Sequence, residues 1–264
     1  MKYIICIIGL IVTMGCKTSK IESKIFFPKK GDIEFSKISS VLNEEEFNTS
    51  TEKTNAILVS EMKQQIIDER KQLNQPIDSI ELDRMLSLKT SSIGKKIFSF
   101  IYNGKKENIR HSYQDSLIII TEKINAKIIG DYRVVNRDKK TWFYLAKSDS
   151  VSKYFLNKKY EYSNDNNLKI KEFKNETKII NGFVCFKIEV EHSNILEDII
   201  PNTTSSVFTS TQKMFVTDKI KSKFHPVINN KIILDNYFPL EIIEESNIIK
   251  GVETKYELVK MSLK

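Results

Sequence analysis

The sequence contains few glycines, prolines, cysteines and histidines: its 264 residues include 8, 5, 3 and 3 of them. The scattered glycines form neither a Walker phosphate loop nor a dinucleotide-binding pattern. The H-E-x-x-H and G-x-S-x-G motifs of metalloproteases and serine hydrolases do not occur either. The composition therefore predicts a protein that is not an enzyme and has no cofactor.

The cysteines and histidines give no sign of a disulfide framework or a metal site. Cys185 is the one cysteine beyond the first sixteen residues, and it has no partner. We expect it to be a small core residue rather than a nucleophile. The histidines are far apart in sequence and stand among polar residues, which predicts surface positions rather than a zinc site: His111, His192 and His225.

No apolar run is long enough to span a bilayer, which takes about 20 residues. Instead, Lys2 precedes an apolar run of about a dozen residues, from Tyr3 to Met14, and Gly15-Cys16 follows. This arrangement resembles a bacterial lipoprotein signal, although Thr13 stands where Leu, Val or Ile is usual. The alternative is an ordinary signal peptide that contains a cysteine. We predict a signal peptide over residues 1–15 and acylation of Cys16, which would anchor the protein stably.

The residues after Cys16 predict a tether and a compartment. Residues 16–30 contain five lysines and no acidic residue except Glu22, so we expect a solvated tether. Lipoproteins of the Bacteroidetes type usually carry acidic residues directly after the cysteine when they reach the cell surface. Their absence here favours an outer-membrane lipoprotein that faces the periplasm. The formal net charge of +8 is scattered among acidic residues, which does not indicate a nucleic-acid partner.

One helical insertion is predicted inside a single domain over residues 31–264. From Glu52 to Leu73 the apolar spacing is helical, and Pro76 ends the pattern. Asp78 is placed to cap a second helix from Ser79 to about Leu88, so the insertion covers about residues 52–88. The apolar side of the first helix offers three candidate ligand-facing residues: Leu58, Met62 and Ile66.

The rest of the chain alternates with a period of two, which is typical of antiparallel strands with one buried face. Phe98, Phe100 and Tyr102 alternate before Asn103-Gly104, and residues 183–191 alternate after Asn181-Gly182. Both Asn-Gly pairs suit a type I′ hairpin turn. Residues 252–259 alternate in the same way. The pattern predicts a mainly β domain of the α+β class.

Three short segments resemble the C-terminal half of the GLPGLI family of Bacteroidetes secreted proteins. The segments are "ETKIINGFVCFKIEVE", "KMFVTDKI" and "YFPLEI". The matching positions are Gly182, Phe183, Cys185, Phe215, Thr217, Asp218, Pro239 and Leu240. The resemblance covers about residues 95–262, but "YFPLEI" stands where the name-giving motif is expected. It implies a curved antiparallel sheet like the half-barrel of LolA-type lipoprotein carriers, with the helical pair on its concave face, and it assigns no active residues.

Two functions are compatible with this architecture. In the first, the concave face binds an acyl chain or another apolar ligand; in the second, the lipoprotein docks another envelope protein. Three Asp-Ser-aliphatic triplets also resemble the O-glycosylation site of Bacteroidetes periplasmic proteins, with the hydroxyl groups at Ser79, Ser116 and Ser150.

Overall fold

The structure, a computed structural model, describes residues 25–76, 78, 80, 82–84, 86, 98–145, 154–163, 168–195, 207–246 and 248–264. The predicted signal peptide, Cys16, Ser79 and Ser150 lie outside these residues. The strands are β1 (Lys30–Val41), β2 (Asn103–Gln114), β3 (Leu117–Ile124), β4 (Lys127–Asn136), β5 (Thr141–Leu145), β6 (Tyr154–Lys159), β7 (Lys169–Ile180), β8 (Phe183–Ile195), β9 (Val207–Thr217), β10 (Phe238–Ser246) and β11 (Val252–Met261). The helices are α1 (Glu44–Gln72) and α2 (Lys231–Asn236).

The strands form one curved, open, antiparallel sheet, which confirms the predicted fold class. Their order is β6-β5-β4-β3-β2-β1-β11-β10-β9-β8-β7, so β6 and β7 are the two edges. Every pair joins strands that are consecutive in the chain except β1 and β11, where Ile33 lies opposite Met261. The first and last strands therefore meet at the centre of the sheet.

The two Asn-Gly pairs have different outcomes. Asn181 and Gly182 have φ of 48° and 84° and join β7 to β8 as a two-residue hairpin, as predicted. The hairpin predicted at Asn103-Gly104 is wrong, because residues 98–101 are helical and Tyr102 N–H donates to Phe98 O at 2.9 Å. A helical turn brings Phe98 and Tyr102 to one side, where both contact a small cluster around Phe47.

The main hydrophobic core lies between the sheet and residues 218–237, which we call the cover segment. Sheet residues such as Phe35, Ile188 and Met214 are fully buried there. The cover segment supplies the opposing apolar side chains: Ile220, Phe224, Ile228, Ile233 and Leu234. Its helix α2 is capped by Asn230, whose Oδ1 accepts from Ile232 N–H at 2.9 Å and Ile233 N–H at 3.2 Å.

The helical insertion begins earlier than predicted, at Glu44. Asn43 caps α1, because its Oδ1 accepts from Glu45 N–H and Glu46 N–H. Asp78 caps the second helix as predicted, because its side chain accepts from Ile80 N–H at 2.9 Å. Residues 80, 82–84 and 86 are helical. Lys63 and Asp83 join the two helices at 2.6 Å.

Candidate functional site

The described chain begins in a fixed position beside the cover segment. Phe26 N–H donates to Lys219 O at 3.0 Å, and Lys221 N–H donates to Phe26 O at 3.0 Å. The Phe26 ring lies 6.0 Å from the ring of Phe183. This part of the predicted tether, from residue 25 onward, is therefore attached to the folded domain by backbone hydrogen bonds, although several of its side chains stay exposed.

A groove of about 830 Å³ lies where this segment meets the cover segment. Its apolar lining comes from Ile25, Phe27, Phe224 and Leu234. Phe27 is 66% exposed and Ile25 is 52% exposed, so both present apolar surface to solvent at the groove. We call this feature the anchor-side groove, because the chain leads from it back toward Cys16.

The rim of the anchor-side groove is predominantly cationic. Lys29 and Lys223 have no ion-pair partner among the residues that the structure describes. Among the described residues, Arg137 Nη1 donates to the carbonyl oxygens of Pro28 at 2.8 Å and Asp115 at 3.0 Å, and Arg137 forms no ion pair. Lys221 Nζ likewise donates to a carbonyl oxygen.

The acidic residues of the rim are largely paired. Asp235 accepts from Lys231 at 2.7 Å, and Asp115 lies 3.3 Å from Lys30. Asp138 also lines the groove, without an ion pair among the described side chains. The rim therefore keeps an excess of positive charge next to an apolar floor, which is the arrangement that an amphiphile with an anionic headgroup requires.

None of the sequence patterns described above predicted this groove. The apolar triplet from Ile25 to Phe27, inside an otherwise lysine-rich tether, is the signal that would have found it. Ser116, a candidate glycosylation site, is half-buried at the turn between β2 and β3 and lines the groove. Any modification of Ser116 would therefore obstruct it.

The candidate ligand-facing residues of α1 do not line this groove. Met62 is 45% exposed and Ile66 is half-buried, and neither belongs to a described core cluster. The side chain of Leu58 lies outside the described part of the structure. Their contact with a ligand stays a prediction.

A second cavity, of about 240 Å³, lies between the sheet and the cover segment, and we call it the interlayer cavity. Strands β2 to β5 and residues 225–229 contribute to its walls. Two of its lining residues are His111 and His225, each 4% exposed. The prediction that these histidines lie on the surface is wrong, because their neighbours in space, rather than in sequence, bury them.

His225 has every ring nitrogen paired, which fixes its neutral tautomer. Nε2 donates to Pro239 O at 2.8 Å, and Nδ1 accepts from Val227 N–H and Ile228 N–H at 3.0 Å each. Burial lowers the pKa of His225 to about 3. His225 therefore holds the cover segment against β10 as a neutral side chain.

Polar residues continue along the same face of the sheet beyond the core. His192 Nε2 and Gln212 Oε1 are 2.8 Å apart, and Gln212 Nε2 donates to Glu244 Oε1. Tyr256 OH donates to Glu244 Oε2 at 3.3 Å. Burial raises the pKa of Glu244 above its usual value despite these hydrogen bonds. These side chains therefore form hydrogen bonds to one another on the face of the sheet beyond the core.

Cys185 is fully buried, and its thiol donates to Phe183 O at 3.6 Å. Burial raises the pKa of the thiol to about 12, so the thiolate needed for nucleophilic chemistry does not form at neutral pH. Among the residues described, no group of His, Cys, Asp and Glu side chains is arranged to hold a metal ion. No helix within the described ranges is long and apolar enough to cross a membrane.

No protein-family model matches the chain, so the resemblance to the GLPGLI family has no support from that comparison. No curated protein is detectably similar. Among solved structures, the chain is similar to LprF from Mycobacterium bovis, with 11% sequence identity and a TM-score of 0.24. The match covers 61% of this chain and 79% of LprF. The function is therefore inferred from the geometry of the groove and the cavity.

Proposed function

We propose that this protein is a non-enzymatic lipoprotein of the outer membrane, facing the periplasm, that binds a phospholipid-like amphiphile in the anchor-side groove. The observation that carries the proposal is the combination of an apolar floor with a cationic rim in a groove of about 830 Å³. The apolar ligand is thus assigned to this groove rather than to a space beneath α1.

The position of the groove supports a membrane-derived ligand. Eight residues, 17–24, separate Cys16 from Ile25, where the described chain begins. Even fully extended, such a segment spans only about 30 Å. An acyl anchor on Cys16 would therefore keep the groove close to the bilayer, and a lipid would have a short path into it.

The expected energetics favour partial burial of one acyl chain. Each CH₂ group removed from water contributes about 0.8 kcal/mol, so eight carbons in contact with Phe27, Phe224 and Leu234 contribute about 6 kcal/mol before ordering costs. A phosphate at the rim would gain charge-assisted hydrogen bonds from Lys29 and Lys223. The apolar floor supplies affinity, and the rim selects an anionic headgroup.

The test is to purify the protein from membranes, extract it with organic solvent and analyse the extract by mass spectrometry. We expect stoichiometric phospholipid in the wild type and loss of that lipid in Phe27→Glu combined with Lys223→Glu. Val259→Glu is the matched control, because Val259 is an exposed apolar residue on β11 that does not line the groove. Lipid-free wild-type protein, or equal lipid in both variants, would refute the proposal.

A second candidate function, docking of another envelope protein, is favoured by one feature of the sheet edge. Ile179 and Val184 lie directly opposite each other on β7 and β8, and both are exposed. An exposed apolar pair beside an unpaired edge strand is suited to contact with a partner. Site-specific photocrosslinking from position 179 in cells tests this function, and a control position at Val259 should give no matching product.

A further inference from the structure

We infer that the interlayer cavity is a second binding site, which takes a small aromatic carboxylate between Arg133 and His111. This inference does not depend on the proposed lipid site, because none of the residues that line the anchor-side groove lines the interlayer cavity. It rests on two polar side chains that line the cavity and whose polar atoms lack a partner among the described residues: the Nδ1 of His111 and the guanidinium of Arg133.

His111 is the first of these side chains. It is 4% exposed, and its Nδ1 has no hydrogen-bond partner among the described atoms. An unsatisfied buried ring nitrogen costs free energy unless a ligand or water satisfies it. In contrast, the neighbouring His225 has both nitrogens paired within the protein. Because His111 lines the cavity, a polar ligand group bound there is a candidate partner for this nitrogen.

Arg133 is the second. Ile120 on β3 lies opposite His111 on β2 and opposite Arg133 on β4, so the three residues form one row across the same face. The two polar residues are thus two strand spacings apart, roughly 10 Å. No ion pair or hydrogen bond to the Arg133 side chain occurs among the described residues. A guanidinium group suits a carboxylate because it can donate two parallel hydrogen bonds.

The remaining walls select an apolar, planar ligand. Trp142 and Val135 are opposite each other on β5 and β4, and both line the cavity with Ile120 and Val227. A cavity of about 150 Å³ is enough to hold benzene in a well-studied protein, so about 240 Å³ accommodates a ring with a carboxylate. The indole ring of Trp142 offers a stacking surface.

Glu161, the one acidic side chain of the lining, does not oppose an anion here. Its carboxylate is largely exposed and lies 3.9 Å from Lys159. Two hydrogen bonds of Asn229 hold this side of the cavity in place. Tyr160 OH donates to Asn229 Oδ1 at 2.8 Å, and Asn229 Nδ2 donates to Glu161 O at 3.1 Å. These bonds tie the strand β6 side of the cavity to the cover segment and keep its shape.

The single tryptophan of the chain makes the site directly observable. Benzoate would be titrated into the full chain in detergent micelles while Trp142 fluorescence is recorded, with benzamide as a neutral ligand of the same shape. We expect saturable quenching by benzoate, and binding of benzamide weaker by roughly tenfold or more, because benzamide has no negative charge to pair with Arg133.

Variants separate the carboxylate site from nonspecific quenching. Arg133→Gln is expected to reduce benzoate affinity by roughly tenfold or more. Lys127→Gln, which removes an exposed cation from the same strand β4, is expected to leave the affinity unchanged. The His111 imidazole signals in NMR spectra should shift on addition of benzoate to the wild type.

The inference is overturned by equal affinity for benzoate and benzamide, by unchanged benzoate affinity in Arg133→Gln, or by a wild type whose fluorescence and His111 signals do not respond. If Arg133→Gln does not fold, the wild-type comparison of benzoate with benzamide decides alone. Lipid content is measured in the same samples, so loss of lipid binding and loss of benzoate binding are distinguished.

Discussion

Acidification should destabilise the fold through its two buried histidines. A histidine in the unfolded chain has a pKa near 6.5, whereas burial lowers the pKa of His225 to about 3 and that of His111 well below its ordinary value. Because the folded state favours the neutral ring, each group contributes stability above pH 6.5 that is lost as the pH falls below that value. Between pH 7.5 and pH 5 the loss is about 2 kcal/mol for His225, and His111 adds a loss in the same direction.

His225→Gln isolates one of these contributions. Glutamine does not titrate, and its amide can still donate to Pro239 O while accepting from one of the two N–H groups of Val227 and Ile228. The variant is expected to lose about 1–3 kcal/mol at pH 7.5, because one buried N–H group is left unpaired. Its further loss on acidification should be about 2 kcal/mol smaller than that of the wild type.

The assay is urea unfolding, followed by Trp142 fluorescence, of the chain lacking residues 1–16 at pH 7.5 and pH 5. The wild type and the variant have the same carboxylates. The difference between their pH dependences therefore does not contain the contribution of the carboxylates to the unfolding free energy. An equal loss of unfolding free energy in the two proteins would refute a neutral, buried His225. A variant that is more stable than the wild type at pH 7.5 would refute its role in holding the cover segment.

Three further outcomes are expected. Metabolic labelling with a fatty-acid analogue should mark the wild type and not Cys16→Ser, and equal labelling would contradict the predicted anchor. Glu244→Gln should be more stable than the wild type at pH 8 in urea unfolding, because burial raises the carboxyl pKa and ionisation is costly in the fold. That gap should close near pH 4, where Glu244 is protonated in both states, and a constant gap would argue against this cause. Cys185→Ala should cost about 1–3 kcal/mol of unfolding free energy and leave lipid content unchanged; lost lipid with normal stability would point to a direct role of the thiol.

The elements that sequence predicted well are those that local chemistry decides. The hairpin at Asn181-Gly182 needs two residues with positive φ, and the chain supplies two that adopt them readily. The cap at Asp78 needs an acceptor two residues before an N–H group. The alternation around β8 and β11 follows from a sheet with one face against the core. Each of these signals lies within a few residues of the structure it specifies.

The features that sequence missed depend on contacts between distant segments. No element was predicted for the cover segment, and only the contact of Phe224 and Ile228 with the sheet buries His225. The aromatic alternation before β2 fails as a strand because Phe98 and Tyr102 meet Phe47, which is some fifty residues away in the chain. The interlayer cavity could not be predicted because it joins β2, β4 and the cover segment.

The central pairing of β1 with β11 has a consequence for folding. All other strand pairs form between neighbours in the chain, so each half of the sheet can assemble as a local meander. The contact between Ile33 and Met261 must wait until nearly the whole chain is available, and until then β1 presents an unpaired edge. Until β11 is available, the chain would thus expose a strand edge that can pair with other chains. Removing only the last strand should split the sheet into two halves rather than fray one end of it.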